Sequence, residues 1–141
     1  MDVEAFFEEM PFADLLGVEV TEVGDGRAEG RVEMREELSW NADRQMAHGG
    51  VTFTLADTVG GAALVSLVDR PVPTIDMRID YLEAGTGDLR AEAEVVRCGS
   101  DVGAVDVEVY AEDRKASEEP RGDAEAVGTP VAEARGVYKT G

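Results

Sequence analysis

The sequence predicts an α+β protein in which an antiparallel sheet of about six strands wraps one long central helix. Two observations carry this. The segment from Gly49 to about Leu67, within GGVTFTLADTVGGAALVSLV, is apolar nearly all round and long enough for about five turns of helix. Six other segments alternate apolar and polar residues with the period of a half-buried strand. A third observation removes the alternatives. One Cys (Cys98) and one His (His48) leave no intramolecular disulfide and argue against a zinc site, so the core must come from these elements alone. The 141 residues suit a single domain over 1–141.

The elements follow in order. Val3 to Met10 reads as a short helix, with Pro11 as a break after it. LLGVEVTEV alternates from Gly17, GDG at Gly24–Gly26 is a turn, and RAEGRVEMR follows as the second strand of a hairpin. EELSWNADRQMA is polar and irregular, so a loop is expected there. The apolar helix comes next and RPVP ends it. TIDMRIDYL sets Ile75, Met77, Ile79 and Tyr81 on one face and Asp76, Arg78 and Asp80 on the other. DLRAEAEVVRCG and VGAVDVEVYAED alternate too, joined by a hairpin turn at GSD. The charged, Gly- and Pro-containing stretch 114–130 reads as an acidic solvated loop, and VAEARGVYK closes the sheet.

The charge is extreme. There are 31 acidic residues against 13 basic, a net charge of −18, and only Lys115 and Lys139 are lysines. Such a surface repels nucleic acid and anionic lipid, so neither is expected as a partner. The acids are spread along the chain rather than blocked. That fits a halophilic protein, in a salty cytoplasm where repulsion is screened. The opening residues MDVEAFFEEM lack a basic stretch and a long apolar run, so no signal peptide is expected and the expected location is cytoplasmic. The long helix has the length of a membrane span, but Asp57, four glycines, several hydroxyls and acidic flanks oppose that reading.

Asp57 is the one ionisable residue between Gly49 and Val68. A carboxylate in apolar surroundings is costly unless it is paired or hydrogen-bonded. Either it caps neighbouring backbone or pairs with an arginine, or chemistry requires it. Gly49 and Gly50 stand where the helix begins, and the first N–H groups of a helix have no partner within it. Glycine there leaves those donors open to a carbonyl oxygen that becomes an oxyanion. Asp57 follows Gly50 by two turns, on nearly the same face. An oxyanion donor and a carboxylate on one face suggest acyl chemistry.

HGGVTFTLADTVGGAA, followed by TIDMRIDYLEAGTGDLRAEAEV, resembles the hotdog-fold acyl-CoA thioesterases of the phenylacetate-pathway (PaaI-like) type, over nearly the whole chain. The resemblance implies a thioester hydrolase without a cofactor or metal, acting on acyl-CoA. It implies that Asp57 acts as general base or nucleophile and that the Gly49 N–H polarises the thioester carbonyl. Gly50 would contribute to substrate binding, His48 would shape the site, and Thr74 would orient the water. A loop Asn holds the carboxylate or the water in that family. Asn41 is the candidate, although it stands seven residues before His48 where six is usual, with Ala42 at the usual place. The resemblance also implies a homodimer with one continuous sheet, often paired again into a homotetramer. Asp57 of one subunit would face Gly49 of the other.

The competing expectation is a hotdog module that binds acyl-CoA without turnover; a carboxylate at the motif position favours the enzyme. No G-x-S-x-G is present and Ser66 lies within LVSLV, which disfavours a serine hydrolase. Arg70, Arg78, Arg90 and Arg97 are candidates for the coenzyme A phosphates, and Trp40, Phe53 and Met46 for the acyl pocket.

Overall fold

The computed structural model describes residues 1–112 and 128–141. Two short helices, α1 (Val3–Glu8) and α2 (Pro11–Leu16), precede the hairpin β1 (Val18–Gly24) and β2 (Arg27–Val32). A two-stranded ladder, β3 (Ser39–Asn41) and β4 (Met46–Ala47), leads into α3 (Gly49–Val68). Then come β5 (Thr74–Tyr81), β6 (Asp88–Cys98), β7 (Val102–Glu112) and β8 (Thr129–Lys139). The main sheet has six strands in the order β1-β2-β6-β7-β8-β5, and each neighbouring pair is antiparallel.

The helix-in-sheet expectation therefore holds, with local corrections. Pro11 does not simply break a helix. It opens α2 at a position where a missing N–H costs nothing, and Gly17, at φ 78°, ends it. The expected loop over 36–47 contains the β3–β4 ladder and two single turns of 3₁₀ helix. Most of the expected loop over 114–130 lies outside the described residues, and its last two residues, Thr129 and Pro130, belong to β8.

α3 is long and apolar enough to cross a membrane by composition, but 61% of that stretch is buried inside the fold, as a core helix would be. Leu55, Ala56, Val59, Ala62, Ala63 and Leu64 are fully buried. They pack on the inward residues of the sheet, among them Val32, Ala91, Val105, Val107 and Val109. Alanines at 91 and 93 on β6 let the helix lie close to the sheet. The burial is not uniform. Phe53, Thr54, Asp57 and Thr58 are only partly covered, while the run from Val59 to Val65 is buried throughout. The carboxylate lies on the one flank of the helix that the sheet leaves open.

The back of the sheet has a different order. Glu22, Glu29, Glu92, Glu108, Glu133 and Asp80 stand directly opposite one another across all six strands. Neighbours in such a row are about 5 Å apart, and like charges directly opposite destabilise a sheet. The arrangement shows in Glu29, whose carboxyl is held above its ordinary value by partial burial first and by Glu22 next. Flanking cations relieve the row: Arg90 pairs with Glu92 at 2.5 Å and Arg78 with Asp80 at 3.4 Å. Tyr110 donates to Glu108, and burial together with that charge pushes the phenol up to about 12.

Two outcomes follow. Leu55→Ala removes a fully buried side chain and is expected to cost about 2–5 kcal/mol in denaturant unfolding. Because the Glu29 pKa is raised on folding, its contribution to stability is greatest below the unfolded carboxylate range and falls as pH rises through the folded value. Glu29→Gln should therefore raise the melting temperature at neutral pH and low salt. The gain should shrink in molar salt and vanish near about pH 3, where both side chains are neutral.

Candidate active site

The N-terminus of α3 is built by its own sequence. His48 is the N-cap, and its Nδ1 accepts the Gly50 N–H at 2.9 Å. The ring nitrogen at Nδ1 is thus unprotonated, and Nε2 carries the proton. The Tyr81 hydroxyl, at the end of β5, donates to the Gly49 carbonyl at 2.7 Å. A Cβ on Gly49 would stand 3.2 Å from that hydroxyl, so glycine fits the close approach of β5. Among the described residues nothing accepts the Gly49 N–H. This corrects one expectation. Of the two glycines, only Gly49 keeps a donor for a ligand, because the Gly50 N–H is spent on His48.

Asp57 is held by a hydroxyl rather than a cation. Thr74 Oγ1 donates to its Oδ1 at 2.8 Å, and among the described residues no basic side chain pairs with it. A β-bulge puts Thr74 there. From Asp76 onward β5 runs in unbroken register with β8, as in Asp76↔Val137 and Met77↔Gly136. Continued one step, that register would set Ile75 against Tyr138. The extra residue shifts the pairing so that Thr74 opposes Tyr138, and Ile75 is left exposed. Tyr138 is itself a neighbour of the carboxylate residue, with its hydroxyl donating to the Asp57 carbonyl at 2.8 Å.

Asn41 is turned to a local task. Its Oδ1 caps the following 3₁₀ turn by accepting the Arg44 N–H at 3.3 Å, and no hydrogen bond joins it to Asp57 or Gly49 within the chain. Of the arginines considered for phosphates, Arg78 pairs with Asp80 at 3.4 Å and Arg90 with Glu92, both on the back of the sheet. Ser66 accepts the Gly26 N–H at 2.8 Å and donates to the Ala63 carbonyl, so it fastens the β1–β2 turn.

A cavity of about 370 Å³ opens beside Gly49, lined by Trp40, Met46, Thr52, Tyr81, Leu82 and Val131 among others. Trp40 and Met46 line this cavity, and Phe53 does not. A larger hollow of about 680 Å³ lies on the back of the sheet, but Glu22, Glu29, Glu92 and Glu108 line it, and it has neither Asp57 nor Gly49. That hollow is acidic and repels anions, whereas the smaller cavity is the one that adjoins Gly49.

Asp57 and Gly49 share one helix, eight residues apart, which is about 12 Å along the axis. No single carbonyl can touch both within one chain.

A six-stranded antiparallel sheet around one long helix is the hotdog arrangement, and the class it points to here is the hotdog-fold thioester hydrolases. The family model for the thioesterase superfamily matches residues 45–118, and the chain belongs to that superfamily. A protein of Halobacterium salinarum named as an esterase is 34% identical over 142 aligned positions, which span 97% of this chain and 89% of that protein. The medium/long-chain acyl-CoA thioesterase YigI of Salmonella typhimurium is 28% identical over 79% of this chain and 82% of its own length. The solved PaaI protein from the phenylacetic acid degradation operon of Escherichia coli superposes with a TM-score of 0.76 at 25% identity, over 96% of this chain and 88% of that one.

Two tyrosines, Tyr81 and Tyr138, were not singled out from the sequence as members of this site. Tyr81 is visible there only as one residue in an alternating strand, and Tyr138 only as the penultimate residue of the last one. His48→Ala should destabilise the chain by about 1 kcal/mol through loss of the cap, with guanidinium unfolding as the measure.

Proposed function

We propose that this chain, as a single domain over residues 1–141, hydrolyses an acyl-CoA thioester to a free carboxylic acid and coenzyme A. The acyl group occupies the cavity beside Gly49, and the Gly49 N–H takes the charge that develops on the carbonyl oxygen. Asp57 either accepts the proton of a water that attacks the carbonyl carbon, or attacks that carbon itself and is released by water. In both routes the C–S bond breaks, and the thiolate leaves and takes up a proton. Thr74 orients the carboxylate through the hydrogen bond already present. The observation that carries this reading is the open Gly49 N–H at the rim of an apolar cavity, on the same helix as a carboxylate with no cationic partner.

The separation of about 12 Å along the helix axis between Gly49 and Asp57 supports a site shared by two chains, in which Asp57 of one subunit serves Gly49 of the other. β5 is an edge strand, and Ile75, Tyr81 and Leu82 on and beside it are exposed. An unpaired edge of this kind suits pairing with a second copy. Two such dimers would make the tetramer. Asn41, whose own chain gives it only a cap, would enter such a site from its loop.

The test is thiol release from a panel holding phenylacetyl-, hydroxyphenylacetyl- and benzoyl-CoA and C4 to C12 acyl-CoAs, in high salt. Wild type should turn over at least one of them, and Asp57→Ala should lose at least about a hundredfold. Binding of acyl-CoA without turnover of any substrate would make the chain a binding module instead. Apparent affinity should improve with salt up to molar concentration, because screening removes the repulsion between the anionic substrate and a protein of net charge −18. A steady loss of affinity with salt, in protein that stays folded, would contradict that.

A further inference from the structure

We propose that Tyr138 is a positioning residue for Asp57: together with Thr74, its directly opposed neighbour across β5 and β8, it fixes the carboxylate-bearing residue at two points. Thr74 holds the carboxylate and Tyr138 holds the main chain. This rests on the reading of Asp57 as the catalytic carboxylate.

Tyr138 is the largest fully buried side chain among the described residues, 1% exposed. Its ring fills a slot that glycines make. A Cβ on Gly60 would stand 2.5 Å from its hydroxyl, and one on Gly136 would stand 2.6 Å from its ring. Phenylalanine would fill the same slot, so packing explains the ring and leaves the hydroxyl to be explained. A neutral buried hydrogen bond adds little net stability, which makes its address the informative part.

The address is one rung of α3. The helical partner of the Asp57 carbonyl is the N–H of the residue four places on, Gly61. The Tyr138 hydroxyl donates to that same carbonyl at 2.8 Å. The hydroxyl therefore sits at the Asp57–Gly61 rung and ties the helix to the last strand at the residue that bears the carboxylate. Burial, followed by the charge of Asp57, pushes the phenol far above its ordinary value, so the hydroxyl keeps its proton at neutral pH. The bulge at Ile75 completes the arrangement, because without it Thr74 would not stand opposite Tyr138. A shift of the carboxylate by about 1 Å is enough to lower the rate of a positioned reaction severely.

The test is a double-mutant cycle read in kcat and KM, with thiol release from the best acyl-CoA of the panel. Tyr138→Phe should lower kcat about tenfold or more and leave KM within about twofold. In the Asp57→Ala background the same change should produce no further loss, because the residue acts only through Asp57. Wild-type kcat in folded Tyr138→Phe overturns the proposal. So does a loss carried by KM, or an equal loss in both backgrounds. If Tyr138→Phe does not fold, 4-fluorophenylalanine at position 138 keeps a substituent in the slot without the donor, and the same criteria apply. If neither folds, the hydroxyl serves the fold and the proposal fails. Wild-type turnover in Asp57→Ala is a separate result, which would remove the reading of Asp57 itself.

Discussion

The structure depends on keeping a carboxylate in a helix that the sheet otherwise encloses. A buried charge with no partner would cost more than the surrounding packing returns. The chain meets this by leaving one flank of α3 open at Phe53, Thr54, Asp57 and Thr58, and by closing the helix completely from Val59 to Val65. Small residues make the closed half possible. Gly60 and Gly136 admit Tyr138, and the alanines of β6 bring the sheet close. The open half then needs hydroxyls and backbone donors in place of packing, and Thr74, Tyr81 and His48 supply or arrange them.

Much of this was legible in the residues because it follows from local period. The apolar run from Gly49, the alternation of the six strands and the turns at GDG and GSD each report their own neighbourhood, and the element order falls out of them. Asp57 and Gly49 were legible for a related reason, since a lone acid and a pair of glycines contradict an otherwise uniform segment. Thr74 came from the family resemblance, and the structure does bring it to Asp57.

What could not be read has a common physical origin: it depends on register between distant segments. The bulge at Ile75 exists only relative to β8, so nothing within TIDMRIDYL announces it. Tyr138 looks like any aromatic residue at the end of a strand until β8 is laid beside β5 and under α3. The second helix was hidden because Pro11 serves equally as a stop and as a first residue, and only the turn at Gly17 separates the two. The spent donor of Gly50 depends on a side-chain rotamer of His48, which spacing does not encode.

The row of carboxylates on the back of the sheet has a consequence for geometry beyond a single chain. Two copies laid back to back would set that row against its own image, and the arginines beside it, such as Arg78 and Arg90, are already paired with carboxylates of their own chain. At low ionic strength that face therefore opposes stacking by its own charge, while the open flank of α3 carries no such row. The acidity spread along the sequence thus acts as an orientation rule. For any second copy, approach from behind meets that repulsion, and approach over the open flank of α3 does not.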